Sequence, residues 1–168
     1  EMGADMQTLN QRDEAGEPVA DLRVRSAALH GIRIGAERIP RTIDEFPILC
    51  VAAALAEGET VITGAEELRV KESDRIATMA TELGKMGVAI TETPDGLIIQ
   101  GSGGRETRRL RGTACTSHGD HRVAMSLAIA GLVADAPTRI EDTACIETSF
   151  PDFNDKLLEL LTQSGRGL

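Results

Sequence analysis

Glu67-Leu68-Arg69-Val70-Lys71-Glu72-Ser73-Asp74-Arg75 sets three cations and three carboxylates within nine residues, between a strand and a helix. Before it, Glu59 to Gly64 alternates and is rich in β-branched residues, which predicts a strand. After it, Ile76, Met79, Ala80, Leu83 and Met86 recur at helical spacing. The charged stretch is therefore a strand-to-helix connection. Ser73 is the expected N-cap, with Asp74 and Arg75 in the first turn and Lys71 and Glu72 just outside it. Unpaired N–H groups and partial positive charge make such a helix start the expected seat of an anion.

Working outward, Ala4 to Leu9 and Ala20 to Ala27 predict two strands joined by a long polar loop, Asn10 to Pro18. A short strand follows at Gly31 to Gly35. A helix is expected from Ile43 to Ala56, with Pro47 in its first turn and Gly58 just past its end. Beyond the helix at 74–86, Val88 to Glu92 and Gly96 to Gln100 form a hairpin around Pro94-Asp95. The order then begins again. Thr113 to Ser117 is β-like, Asp120 to Asp135 helical and Thr138 to Asp142 β-like; Ser149 to Leu161 is helical, with Ser149 as cap and Pro151 in the first turn. Asp44 and Asp120 stand about 76 residues apart in this α/β pattern of repeated βαβαββ units, one over 31–101 and an incomplete one over 102–168. Gly101 to Arg111, with four Arg and three Gly, is the most linker-like segment.

At 168 residues and 41% hydrophobic, the chain suffices for one domain with a core. Its three cysteines, Cys50, Cys115 and Cys145, lack paired spacing, which favours a reducing, cytoplasmic setting. No signal peptide is visible, and the apolar run Val123 to Ala134 is too short to span a bilayer. A net charge of -9, three Phe and no Tyr or Trp argue against nucleic acid as a partner. The chain opens on Glu1 without an initiator Met, so a cut or truncated chain is expected.

Ser117-His118-Gly119-Asp120-His121-Arg122 repeats the first theme, an acidic cap followed by arginine at the start of an apolar helix. Arg75 and Arg122 converging on one cleft would clamp a small dianion or trianion, because each guanidinium matches phosphate or carboxylate with a planar fork. The simpler reading of each is an ion pair with a neighbouring carboxylate. Asp44 is either a helix cap or a general base toward a substrate hydroxyl, with Lys71 near enough to bind the same substrate. Glu72 could ferry a proton or be a salt-bridged loop carboxylate. Cys115, His118, His121 and Asp120 have a metal-like spacing, but they cross from strand to helix, so no metal site is expected. His121 fits better as a donor beside Arg122 or as a buried histidine with one backbone partner. No nucleophilic triad is apparent.

Glu67 to Arg75, Gly119-Asp120-His121-Arg122 and Thr148-Ser149-Phe150-Pro151, in that order, resemble the carboxy-terminal part of the 5-enolpyruvylshikimate-3-phosphate synthase family over essentially the whole chain. The resemblance implies two similar domains of three βαβαββ units each, with the active site between them. This chain would hold most of the later domain, residues 1–30 closing a preceding repeat, and its missing partner would be the amino-terminal domain with the family's phosphate-binding Lys and Ser residues. The implied reaction, in aromatic amino-acid biosynthesis, moves the enolpyruvyl group of phosphoenolpyruvate to the 5-hydroxyl of shikimate 3-phosphate, without metal or organic cofactor. By the same resemblance Asp44 is the base on the 5-hydroxyl, and Lys71 a shikimate-phosphate contact and proton carrier. Glu72 handles the proton at the methylene carbon, while Arg75, His121 and Arg122 hold phosphoenolpyruvate. Thr148 stands where many members have lysine and Glu67 where many have asparagine, as in the glyphosate-tolerant subclass. The other class of reading is an inactive fragment or weak anion-binding module lacking half its cleft. The sister transferase acting on UDP-N-acetylglucosamine shares the fold but not the Lys71-to-Arg75 and Asp120-to-Arg122 motifs.

Overall fold

The computed structural model describes residues 1–103 and 110–163. Its centre is a four-stranded sheet in the order β3-β4-β6-β5, from β3 (Arg33–Ile34), β4 (Glu59–Ile62), β5 (Ala89–Thr93) and β6 (Gly96–Gln100). β3 and β4 are parallel, with α1 (Ile39–Thr42) and α2 (Phe46–Leu55) between them in the chain; β4–β6 and β6–β5 are antiparallel. α3 (Arg75–Lys85) connects β4 to β5. A second parallel pair, β7 (Ala114–Thr116) and β8 (Arg139–Glu141), flanks α4 (His121–Gly131), and α5 (Phe153–Gln163) follows. The mixed α/β order β-α-β-α-β-β, followed by β-α-β-α, is the one expected.

The core lies between the central sheet and α2, α3 and α4. Ile76, Met79, Leu83 and Met86 are fully buried, so the apolar stripe of α3 is the face that meets the sheet. α2 is apolar all round because it packs on α3, α4 and β6 together. Val123 and Leu127 of α4 belong to the same core, where α4 packs on α2.

Several boundaries differ from expectation. The loop expected at Asn10 to Pro18 is strand: β1 (Asp5–Glu14) and β2 (Glu17–Arg25) pair down to a two-residue turn, Ala15-Gly16, with φ of 56° and 87°. Both faces of that hairpin are largely open to solvent, so no apolar alternation marks its outer half. The helix expected from Ile43 starts at Phe46, after the separate turn Ile39–Thr42. Pro47 has no N–H for the carbonyl of Ile43, so a helical bond cannot cross there. The cap of α3 is Asp74, which accepts from Ala77 N at 3.0 Å, and not Ser73. Residues Glu66–Val70 of the charged stretch form a 3-10 helix. α4 ends at Gly131, short of Asp135. Ser149 does not cap α5: Thr143–Thr148 is a 3-10 helix, Ser149 and Pro151 lie in the turn after it, and α5 begins at Phe153. Of the linker-like Gly101 to Arg111, residues 104–109 lie outside the described residues.

At Gly96 the approach of β6 to β4 leaves no room for a side chain. A Cβ on Gly96 would stand 1.9 Å from the Ile62 carbonyl oxygen, which belongs to the backbone of β4. Gly96→Ala is expected to lower stability by about 1–3 kcal/mol or more, since no side chain can yield there. Urea denaturation measures it, and an unchanged midpoint would contradict this packing.

Candidate functional site

Three helix starts meet on one side of the core. Glu45 opens α2, Asp74 caps α3 and Asp120 caps α4, its Oδ1 accepting from Arg122 N at 2.9 Å and Val123 N at 3.3 Å. Arg75, the first residue of α3, joins all three. Its Nε donates to Asp120 Oδ2 at 2.8 Å, its Nη2 to Glu72 Oε2 at 2.7 Å, and its Nη1 to the Ile43 carbonyl and Asp44 Oδ1, both at 3.4 Å. Arg75 is 1% exposed and Asp120 0%. Burial works against the Arg75 charge, and the hydrogen bonds and charges of Asp120, Glu72 and Asp44 more than offset it, so its pKa is raised.

Arg122 approaches the same place from α4. Its Nη1 donates to the Asp44 carbonyl at 3.0 Å, and its guanidinium lies 3.5 Å from Asp44 Oδ2 and 3.6 Å from Glu45 Oε1. Asp44 therefore stands between two arginines, with its side chain 56% exposed. It precedes α2 and is not its cap, so the capping reading of Asp44 falls with the helix boundary. A cleft of about 160 Å³ beside Asp44 and Arg122 is lined also by Glu45, Ile48, Met125 and Ser126. His121, half-buried, is the first residue of α4 next to Arg122. Lys71 holds Glu67 Oε1 at 2.7 Å within the charged stretch.

Asp44, Glu72, Arg75 and Arg122 are thus brought into one connected cluster, with His121 at its edge and Lys71 following the 3-10 turn nearby in the chain. Sequence reasoning missed what holds the charged stretch in place. Arg69 bonds the carbonyls of Thr93 at 2.6 Å and Pro94 at 2.7 Å and lies 2.9 Å from Asp74 Oδ2, tying the stretch to the β5–β6 turn. Ser73 donates to Asp120 Oδ2 at 3.3 Å in place of capping α3. Apart from Asp74, their partners are distant in the chain, so spacing gives no sign of them.

The side chains with metal-like spacing diverge. Cys115 is buried, its thiol pushed up to about 11, first by burial and then by the charge of Glu82; His118 turns to Glu82 and Asp120 to Arg75. Among the described residues no three His, Cys, Asp or Glu side chains gather as a metal-holding group, and no helix is long and apolar enough to cross a membrane.

The arrangement presents two guanidinium groups and the positive ends of three helices, held meanwhile by the chain's own carboxylates. Removing the buried carboxylate would strand Arg75. Asp120→Ala is expected to cost about 3–5 kcal/mol, more than an exposed pair could. Denaturation midpoints of the two proteins check it; a cost near zero would mean that Arg75 finds another partner.

Comparison with known proteins follows the same lines. Residues 1–157 match the family model of EPSP synthase (3-phosphoshikimate 1-carboxyvinyltransferase). A 3-phosphoshikimate 1-carboxyvinyltransferase of Geobacter sulfurreducens is 59% identical over 152 residues, 90% of this chain and 34% of that protein. Its namesake in Gloeobacter violaceus is 56% identical over 162 residues, 96% of this chain and 36% of that protein. The chain thus spans about a third of the length of the curated relatives it matches. Among solved structures, an EPSP synthase from Acinetobacter baumannii superposes with TM-score 0.89 at 46% identity, over 94% of this chain and 36% of that one. The enolpyruvyl transferase NikO from Streptomyces tendae, at 21% identity and TM-score 0.64 over 94% of this chain and 33% of that one, shares the fold.

Proposed function

The chain belongs to the EPSP synthase family, and on that premise we propose that it is one part of a transferase that moves the enolpyruvyl group of phosphoenolpyruvate to the 5-hydroxyl of shikimate 3-phosphate. The observation that carries this reading is the meeting of three helix starts around Asp44, Arg75 and Arg122. Two anionic substrates need concentrated positive charge, and the proton transfers need carboxylates within reach of it.

In this reading Asp44 takes the proton of the attacking 5-hydroxyl as its oxygen adds to C2 of phosphoenolpyruvate. Glu72, protonated at the outset, delivers its proton to the methylene carbon and takes one back as the C–O bond to phosphate breaks, forming the vinyl ether; the departing phosphate carries off the proton that Asp44 took. Lys71 binds the shikimate phosphate and can carry a proton. Arg75, His121 and Arg122 hold the carboxylate and phosphate of phosphoenolpyruvate. Arg122, about a third exposed, offers the more open guanidinium; Arg75 reaches the ligand by exchanging its bonds to the exposed Glu72 and Asp44.

The division of the chain is part of the same proposal: residues 1–30 close one repeat, 31–101 form a complete βαβαββ unit and 102–168 an incomplete one. The remaining lining of the cleft comes from an amino-terminal domain, so the 168 residues alone turn nothing over. The setting is the cytoplasm. Glu67 salt-bridges Lys71 at 2.7 Å, and Thr148 donates to the Cys145 carbonyl at 2.8 Å. A glutamate and a neutral side chain at these places support the glyphosate-tolerant subclass.

A chimera tests the reading. This chain replaces the matching third of the Geobacter sulfurreducens relative, and phosphate release is measured from shikimate 3-phosphate plus phosphoenolpyruvate. The chimera should be active and the chain alone inactive. A folded but inactive chimera would count against the assignment, as would activity of the chain by itself. In the chimera, Arg122→Ala should raise KM for phosphoenolpyruvate about 10–100-fold, the loss of a charged hydrogen-bond donor to an anion. An unchanged KM would remove Arg122 from the site.

A further inference from the structure

Glu82 is a fully buried carboxylate on α3 that takes no part in the cluster around Arg75. Its Oε1 accepts from Lys85 Nζ at 2.8 Å and meets His118 Nε2 at 3.1 Å. Its Oε2 accepts from Lys85 Nζ at 2.9 Å and from the backbone N–H of Thr116 at 3.1 Å. Burial raises its pKa, but the bonds from Lys85, His118 and Thr116 outweigh that and hold it below the usual 4.5, so the group is a carboxylate near neutral pH. Lys85 is a neighbour on the same helix. Thr116 and His118 are 34 and 36 residues further on, Thr116 at the end of β7 and His118 in the turn that leads from it into α4.

That turn has an unusual backbone. His118 has φ of 56° and Gly119 φ of 74°, two left-handed residues in succession. Glycine adopts this freely, whereas the Cβ of histidine is crowded there. Ser117 braces the turn from within: its Oγ donates to the Asp142 carbonyl at 2.6 Å and accepts from Gly119 N at 3.1 Å. Neither bond restrains the His118 side chain. The contact with Glu82 does, two residues before the buried Asp120 and four before Arg122.

We propose that Glu82 is a positioning residue: through His118 and the Thr116 N–H it clamps the β7–α4 turn and so fixes where Asp120 caps α4 and where His121 and Arg122 are presented. Arg75 and Glu82 lie seven residues apart, two turns of one helix, so they share a face. α3 thereby grips the beginning of α4 twice, by Arg75 on Asp120 and by Glu82 on His118 and Thr116. A carboxylate needing only to be neutralised is served by Lys85. The two additional partners both lie where α4 is launched.

The kinetic consequence rests on the proposed transferase reading; the clamp itself does not. His118→Ala removes the imidazole and leaves the left-handed backbone, while His118→Gly removes imidazole and crowding together. In the ¹⁵N-labelled chain, His118→Ala should speed hydrogen exchange at the Arg122 and Val123 amides about tenfold, with Met79 and Leu127 changing less than about twofold. In the chimera it should raise KM for phosphoenolpyruvate about tenfold, with kcat and KM for shikimate 3-phosphate within about threefold. His118→Gly should recover a good part of both effects. Exchange that is unchanged, or faster by the same factor throughout α3 and α4, would overturn the clamp. A folded chimera inactive before any substitution would overturn the transferase reading, leaving the exchange result to decide the clamp.

Discussion

The buried pair of Arg75 and Asp120 is the constraint on which the cluster depends. A carboxylate with no access to water must be satisfied at both oxygens, and Asp120 is: Arg75 and Ser73 donate to one, the N–H groups of Arg122 and Val123 in the first turn of α4 to the other. Such a pair is a poor source of net stability, because desolvation of two charges consumes most of their attraction. Its value here is geometric. Arg75 is the first residue of α3 and Asp120 the cap of α4, so their bond locks one helix start against another, and Asp44, bonded to Arg75, brings in the start of α2.

Arginine in the first turn of a helix is electrostatically misplaced, since the helix already carries partial positive charge there. Both α3 and α4 break that preference at the same place in the fold. The local conflict is relieved by carboxylates: Asp120 from α4 and the nearby Glu72 on Arg75, Asp44 and Glu45 from the start of α2 on Arg122. A local rule broken twice at one spot and compensated mainly by long-range partners is the pattern of a site shaped for something other than stability.

Much of this was legible from the residues alone. The apolar stripe of α3, the Asp120 cap and the β5–β6 hairpin follow from period and turn chemistry, because each is decided within a few residues. Misplaced boundaries have local ambiguities settled at a distance. Ser73 and Asp74 are both good caps, and Asp74 prevails while held by Arg69, and Ser73 is drawn to Asp120. The outer half of the first hairpin, Asn10 to Pro18, reads as loop because solvent on both faces removes the alternation that marks a strand. Glu82 resembles any helical surface glutamate in sequence, since the residues that bury it lie more than thirty positions away.

The displaced start of α2 shows how a backbone detail reaches the chemistry. Pro47 cannot donate to the Ile43 carbonyl, which instead accepts from Arg75 Nη1 at 3.4 Å. The same interruption leaves Asp44 outside the helix, so its carboxylate is free to turn toward both arginines and toward solvent, where a capping aspartate would be spent on backbone N–H groups. Asp44 and Glu72 occupy the guanidinium groups that an anionic substrate would claim. In the proposed reaction, arrival of phosphoenolpyruvate exchanges these internal ion pairs for substrate ones, and the carboxylates so released lie where a proton must be taken and returned. The exchange spares the buried Arg75–Asp120 bond, because Nε faces Asp120 while Nη1 and Nη2 face the exposed acids. One arginine thus divides its fork, one edge fixing the scaffold and the other open to exchange.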